Sequence, residues 1–326
     1  MVESNNSNAL TWVLGGALVL IGLVVVIMLV SVNSQADSVS TSTTVTNVAP
    51  TVDTLVLKDN GATVTGGGTL SLNAGTTESV TITGTVSDDN GVATSFASGD
   101  LSDIEGELYL TSLATAGCAS GTTDNNQCYF TNGAANCVLG STVDTTTINY
   151  TCTFSMQYYS DGTSTGGASA ADTWTASVKV VDDASLAATL TQTFETGTLL
   201  ALSIPATINY GTLAREQSTT NTNNQEMVIT QYGNDGADVE VSGTTMPCSV
   251  VGTIPIANQK WSLTDLSAGA GGVTALSGVA VDTGFGIAYR TLDATALTKT
   301  LYWNIILPNV ASGSCTGTDT ITAIAS

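Results

Sequence analysis

An uncharged apolar segment near the N-terminus is the feature that most constrains how this chain can fold. The run Trp12–Val32 contains no Asp, Glu, Lys or Arg, and its 21 residues would form a helix about 31 Å long. That length matches the hydrocarbon core of a bilayer. A buried core helix is the alternative, but the run is apolar on every face and stands at a terminus between polar stretches. The sequence therefore predicts a transmembrane helix at residues 12–32, after a short polar N-terminus at residues 1–11.

We expect this segment to be retained as an anchor rather than removed as a signal peptide. A signal peptide has a basic leading region and an apolar run of about 7–15 residues. Here the leading region carries Glu3 and no Lys or Arg, and the apolar run is longer. Ser34-Gln35-Ala36 does resemble a cleavage site, so cleavage stays the alternative.

Beyond the anchor the sequence pattern is that of a tether followed by β-strands. Residues 33–49 are rich in Ser and Thr, which is typical of a flexible linker. After Pro50 the hydrophobic period is two, as in half-buried antiparallel strands. In Glu78–Val86, for example, Val80, Ile82 and Val86 share one face. The same alternation recurs at residues 149–158, 172–180, 200–204, 237–241, 301–307 and 319–324.

Composition excludes most catalytic chemistry. The chain has no histidine, and 6 Lys and Arg stand against 27 Asp and Glu, for a net charge of −21. Histidine is the usual general base and a common transition-metal ligand. A strongly acidic chain also repels the phosphates of nucleic acids. Carboxylate-only catalysis remains, but no residue pair marks it, so the chain is predicted to be neither an enzyme nor a nucleic-acid-binding protein.

The cysteines indicate structural disulfides and an oxidising compartment. All six follow the apolar run, and none forms a CxxC pair: Cys118, Cys128, Cys137, Cys152, Cys248 and Cys315. Six cysteines allow 15 pairings. In the predicted first domain Cys118–Cys128 and Cys137–Cys152 are the locally plausible pairs, although the connectivity there stays open, and the other two cysteines fall together in the second. Because disulfides form outside the cytosol, the residues after the anchor are predicted to be extracellular.

Pairs of aspartates directly follow two predicted strands. They are Asp88, Asp89, Asp182 and Asp183, and Asp100 and Asp103 lie in another loop. Asn90-Gly91 beside the first pair favours a tight polar turn. The alternative is a Ca²⁺ site, because carboxylates from several strand ends can converge at one pole of a sandwich. No EF-hand spacing is present, and Ca²⁺ is the one cofactor that the sequence suggests.

Two further motifs concern glycans. Asn149-Tyr150-Thr151 is an N-glycosylation sequon inside a predicted strand, and such short motifs often match by chance. Trp174 and Trp303 fall on alternating apolar faces and are predicted to lie in the core. Trp261 stands in a less regular stretch and is the tryptophan predicted to be exposed, where it could stack on a sugar.

The C-terminal part resembles a recurring Ig-like β-sandwich module in exported cell-surface proteins of archaea and small-genome bacteria. The residues that carry this resemblance are Leu200–Ala214, Asp238–Cys248, Ile254–Leu263, Leu301–Pro308 and Ser312–Ala325. It implies surface exposure and a module disulfide between Cys248 and Cys315. Asn47–Val52, Val80–Gly91 and Trp174–Ala184 are similar to surface Ig-like or cadherin-like repeats. The predicted fold class is all-β, with two tandem Ig-like β-sandwich domains at residues 50–196 and 197–326 after the transmembrane helix.

These patterns predict a membrane-anchored, extracytoplasmic structural or adhesive surface protein. It would act by self-association or by binding other surface proteins or glycans, not by catalysis. The overall plan of an N-terminal hydrophobic helix and a β-rich head also resembles surface-layer and pilin-like proteins. The alternative is therefore a pilin-like filament subunit whose apolar helix packs in the fibre core. The chain departs from type IV pilins because no basic residue plus Gly precedes the apolar run and no Glu stands five residues into it.

Overall fold

The computed structural model describes residues 40–113, 118, 124–133, 135–291 and 297–326. The chain divides into two compact units, Met1–Thr46 and Asn47–Ser326, and the described strands all belong to the second. Within the described residues, no helix is long and apolar enough to cross a membrane. The transmembrane helix predicted at residues 12–32 and the polar N-terminus at residues 1–11 lie outside these residues.

Twenty-one strands and two short 3₁₀ helices, Thr111–Leu113 and Ile256–Asn258, make up the described secondary structure. The strands are β1 Thr51–Val52, β2 Val56–Asp59, β3 Ala62–Val64, β4 Thr69–Leu70, β5 Thr77–Ser87, β6 Leu101–Leu110, β7 Cys128–Asn132, β8 Cys137–Thr142, β9 Thr147–Gln157, β10 Trp174–Asp182, β11 Ala187–Thr196, β12 Leu202–Ser203, β13 Gln225–Gln231, β14 Ala237–Gly243, β15 Met246–Pro247, β16 Thr253–Ile254, β17 Gln259–Ser262, β18 Thr274–Ala275, β19 Val281–Asp282, β20 Thr298–Ile305 and β21 Asp319–Ala325. The all-β prediction is confirmed for the described part of the chain.

The first ten strands and β11 form two sheets around one core. One sheet has the order β3-β2-β5-β9-β8, with β1 also pairing with β5, and the other has the order β4-β11-β10-β6-β7. Buried side chains of both sheets belong to a single hydrophobic cluster, among them Ile82 and Phe154 from the first sheet and Ile104, Trp174 and Val178 from the second. This shared core makes the two sheets a β-sandwich.

The predicted faces of these strands are confirmed. Val80, Ile82 and Val86 on β5 are fully buried, whereas the threonines between them are only partly buried. β10 also buries the predicted apolar positions Trp174 and Val178, but Thr175 and Ser177 between them are buried as well, so burial alternates only from Val178 onward. Because successive side chains of a strand point to opposite faces, the apolar positions fix which face packs on the core.

The later strands form a second core of the same kind. A five-stranded sheet has the order β12-β13-β20-β17-β18, and a three-stranded sheet has the order β19-β14-β21. Their shared cluster includes Met227, Val239, Phe285 and Trp303. Trp303 is fully buried, as predicted, but Trp261 is only 7% exposed, so the prediction of an exposed Trp261 is wrong. Its strand β17 lies inside the five-stranded sheet, and the cluster covers the indole.

Buried polar side chains join the first set of sheets to the second. Asn234, between β13 and β14, is fully buried and donates from Nδ2 to the carbonyl oxygens of Ser160 and Gly197, at 2.9 Å each. Its Oδ1 accepts the backbone N–H of Leu199 at 2.7 Å. Tyr232 also packs edge-on against the ring of Tyr158. We call Asn234 and the residues it contacts the junction.

Candidate metal centre

Three strands of the first sandwich bring carboxylates to one of its poles. Asp88 directly follows β5, Asp100 directly precedes β6, and Asp182 is the last residue of β10. β6 and β10 are antiparallel neighbours, so the start of one lies beside the end of the other. The backbone N–H of Asp183 donates to the carbonyl oxygen of Asp100 at 2.8 Å, which holds the two strand ends together.

One carboxylate oxygen from each of Asp88, Asp100 and Asp182 lies within 4.8 Å of the others. Asp88 and Asp182 are each 1% exposed, and Asp100 is half-buried. We call these three residues the acidic cluster. The structure brings them together although β5 belongs to one sheet of the sandwich and β6 and β10 belong to the other.

Uncharged N–H groups donate hydrogen bonds to some of the carboxylate oxygens of this cluster. Asp88 Oδ1 accepts the backbone N–H of Asn90 at 2.8 Å, and Asp182 Oδ1 accepts that of Leu186 at 2.7 Å. Asp182 Oδ2 accepts the side-chain amide of Asn47 at 2.7 Å. The Oδ2 atoms of Asp88 and Asp100 are buried and have no hydrogen-bond partner among the described residues.

Burial raises the pKa of the Asp88 carboxyl, because the charged form is poorly solvated there. The hydrogen bond from the backbone of Asn90 opposes this shift, whereas the negative charges of Asp100, Asp182 and Asp89 add to it. The cluster is therefore a place where an additional positive charge would be stabilised.

The residues that begin the second compact unit also contact this pole. Asn47 reaches Asp182, and the backbone N–H of Val48 donates to Asn90 Oδ1 at 2.8 Å. Thr51 on β1 then pairs with Ser87 at the end of β5. Since residues 33–49 are the predicted tether, Asn47 and Val48 are its last part, and they are attached next to the acidic cluster.

Two of the four predicted ligands belong to this cluster and two do not. Asp88 and Asp182 are in it, whereas the side chains of Asp89 and Asp183 are exposed. Asp100, which the sequence places in a separate loop and not among the four predicted ligands, is the third member of the cluster. Its signal was its position directly before a strand that pairs with β10. The prediction that Asp103 lies in a loop with Asp100 is wrong, because Asp103 is on β6. Its carboxylate accepts the backbone N–H groups of Ile104 and Gly133.

Three disulfides are present in the described residues, and they join Cys118 to Cys128, Cys137 to Cys152 and Cys248 to Cys315. These are the pairs that the sequence analysis names. Cys137 and Cys152 are direct neighbours on β8 and β9. Gly106 leaves room for them, because a Cβ at that position would lie 2.9 Å from the Cβ of Cys152.

The sequon residue Asn149 lies on β9 and is half-buried. Its Nδ2, the atom to which an N-glycan would be attached, donates to the carbonyl oxygen of Ser141 at 2.9 Å. Glycosylation at this position would replace that contact, and it stays a prediction.

A groove of about 460 Å³ lies beside the C-terminal strand β21, and its lining includes Tyr210, Met246, Gln259 and Asp319. Burial raises the pKa of Asp319 to about 6, and the amide of Gln259, which donates to its carboxylate, opposes the shift. Burial also raises the pKa of the Tyr210 hydroxyl, and the charge of Asp319 adds to that effect. Asp319 is thus a carboxylate that the fold destabilises in its ionised form.

Fold and site together define an all-β, disulfide-bonded protein with an acidic cluster where residues 47–52 join the first sandwich. The chain matches no protein-family model and no curated protein sequence. Among solved structures it is similar to a chaperone–tip adhesion subunit pre-assembly complex of the archaic chaperone-usher Csu pili of Acinetobacter baumannii. That match has 12% identity and a TM-score of 0.34, and it covers 80% of this chain and 98% of that one.

Two further solved structures are similar to the chain. One is a chaperone–tip adhesin complex of CFA/I fimbriae biogenesis, at 11% identity and a TM-score of 0.28, covering 85% of this chain and 84% of that one. The other is the C-terminal domain of the AgI/II polypeptide BspA of Streptococcus agalactiae, at 10% identity and a TM-score of 0.23, covering 84% and 97%.

Proposed function

We propose that the chain is a membrane-anchored, extracytoplasmic structural or adhesive surface protein that acts by assembly or binding rather than by catalysis. The observation that carries this proposal is the set of three disulfides within the β-sandwich unit. Structural disulfides persist in oxidising compartments and are rare in the cytosol. The uncharged run Trp12–Val32 supplies the anchor in this proposal.

Assembly is the mode of action that the sheet edges support best. β21 is an edge strand of its sheet, where it pairs with β14. Its sequence, DTITAIA, contains no Lys or Pro, the residues that often guard an edge against pairing. A strand of this kind can pair with an extended segment of a second copy. The net charge of −21 opposes such an approach, and salt would screen that repulsion.

Protease added to intact cells tests the location. We expect the residues after about 33 to be digested while cytoplasmic marker proteins stay intact. Protection of the sandwiches until the cells are lysed would contradict the proposal. Mass spectrometry of the same protein distinguishes the filament alternative, because a processed pilin-like subunit would begin within Gly15–Ala17 rather than at Met1.

Sedimentation of the detergent-solubilised full chain across a salt series tests assembly. We expect self-association to increase with salt and to weaken when Thr322→Lys adds a charge to the exposed side of β21. Asn221→Lys adds the same charge in an exposed turn and is the matched control. A strict monomer at high concentration under every condition would remove assembly, and equal effects of both variants would remove the role of the β21 edge.

A further inference from the structure

The acidic cluster contains carboxylate oxygens that the fold leaves unsatisfied. Asp88 is 1% exposed, and its Oδ2 has no hydrogen-bond partner among the described residues; the buried Oδ2 of Asp100 is in the same situation. Burial of an ionised oxygen without a partner is unfavourable, and two such oxygens within one cluster also repel each other. A cation bound between them would remove both costs.

The chemistry of the atoms that could bind a metal determines which kind of cation fits the cluster. The available side-chain atoms are carboxylate and amide oxygens, because the chain has no histidine and the described cysteines are all in disulfides. Oxygen donors suit Ca²⁺ and Mg²⁺. Ca²⁺ accepts flexible geometry and protein ligands from several segments, whereas Mg²⁺ demands a near-ideal octahedron and retains much of its water. Ligands from the ends of three separate strands favour Ca²⁺.

We propose that Asp88, Asp100 and Asp182 bind a Ca²⁺ ion, and that Asn47 completes the site from the end of the predicted tether. In the structure the Asn47 amide donates to Asp182 Oδ2. Rotation of that amide by half a turn exchanges its nitrogen and its oxygen, so that Oδ1 faces the cluster as a fourth ligand. Water or backbone carbonyl oxygens complete the coordination shell.

Such an ion would join residues from four different parts of the chain. Asn47 is held next to Val48, whose backbone N–H already bonds to Asn90, and next to β1, which pairs with the end of β5. Ca²⁺ therefore orders residues 47–52 against the pole of the first sandwich. The site stands on its own geometry and does not depend on the proposed surface function.

Calorimetric titration of the detergent-solubilised full chain with CaCl₂, after removal of metals with EDTA and at constant ionic strength, tests the proposal. We expect one site with a Kd of about 10⁻⁴–10⁻³ M, the range of extracellular Ca²⁺ modules. Asp88→Asn should weaken binding at least about tenfold, since it removes the buried ligand charge. The exposed neighbours give matched controls, because Asp89→Asn and Asp183→Asn remove the same charge outside the cluster and should leave the affinity unchanged.

A melting experiment separates loss of binding from loss of folding. In EDTA, Asp88→Asn should melt at or above the wild-type temperature because it removes repulsion within the cluster. In CaCl₂ it should melt below the wild type. Hydrogen exchange should show Ca²⁺-dependent protection of the Val48 and Leu186 amides, and Asn47→Ala should remove the protection at Val48. No binding of Ca²⁺ by the wild-type chain, or equal losses in Asp88→Asn and Asp89→Asn, would overturn the proposal.

Discussion

Replacement of Asn234 by alanine is predicted to weaken the junction between the two sandwiches. The side chain is fully buried and makes three hydrogen bonds, all to backbone groups: it donates to Ser160 and Gly197 and accepts from Leu199. Alanine has no donor or acceptor, so all three backbone groups would lose these bonds. Residues 160, 197 and 199 come before β12, the first strand of the second set of sheets, whereas Asn234 lies between β13 and β14 of that set. The three hydrogen bonds therefore connect the two sandwiches.

The cost follows from the burial of each partner. A buried backbone group without a partner costs about 1–3 kcal/mol. Ser160 is fully buried and should cost an amount near the middle of that range, whereas Gly197 and Leu199 are half-buried and can be partly rehydrated. The sum is about 3–4 kcal/mol. At about 2–4 °C per kcal/mol for a chain of this size, the melting temperature should fall by about 6–16 °C.

Native-state hydrogen exchange on the full chain measures where the loss occurs. In the wild type we expect peptides from β10 and β20 to exchange through openings of similar free energy, because the buried junction couples the two cores. In Asn234→Ala the two sets of peptides should separate, and the less stable core should open first. Calorimetric melting of the same sample provides the change in melting temperature.

Asn221→Ala is the control, because Asn221 lies in an exposed turn and its loss should change stability by less than about 0.5 kcal/mol. A loss below about 1 kcal/mol in Asn234→Ala would refute the reasoning, since even Ser160 alone should cost that much. Unchanged coupling between β10 and β20 in the variant would also refute it.

Two further predictions concern stability in the second set of sheets. The raised pKa of Asp319 means that the folded state binds a proton before the unfolded state, so this carboxyl should add stability as pH falls from about 7 to about 4. Asp319→Asn should raise the free energy of unfolding near neutral pH by about 1–2 kcal/mol, a value already reduced because part of the side chain is exposed to solvent. Equal melting temperatures of the wild type and the variant at every pH would contradict this. The Cys248–Cys315 disulfide closes a loop of 67 residues, and its removal should lower the free energy of unfolding by about 4 kcal/mol. Denaturant titration of the double variant Cys248→Ala with Cys315→Ala measures this loss. A loss below about 1 kcal/mol would contradict the idea that closing this loop stabilises the fold.

The strands and their faces could be predicted from the sequence because their signal is local. Val80, Ile82 and Val86 alternate with threonines, and that alternation alone decides which side faces the core. Trp261 shows the limit of the method. Its strand β17 has only four residues, so the alternating pattern is too short to read. The two strands that flank it in the sheet are not adjacent to it in sequence, because β18 begins at Thr274 and β20 at Thr298.

The acidic cluster could be predicted only in part. The sequence indicates where strands end and so points to Asp88 and Asp182, which the fold brings together. It does not distinguish either of them from the adjacent aspartate. Which member of each pair faces inward depends on the local backbone, such as the turn in which Asn90 donates to Asp88 and the one in which Leu186 donates to Asp182. Asn47 is 135 residues from Asp182 in the sequence, and no local sequence pattern indicates that the two side chains are in contact.

The acidic cluster and the junction lie at opposite ends of the same strands. β9 begins at Thr147, beside the Thr146 carbonyl that accepts the N–H of Asp88, and it ends at Gln157, three residues before Ser160. Its 11 residues span about 35 Å in extended conformation. Sites so far apart that share no partner usually contribute additively to stability. Loss of Ca²⁺ binding should therefore leave the junction intact, and Asn234→Ala should leave Ca²⁺ affinity intact, so each site can be judged by its own measurement.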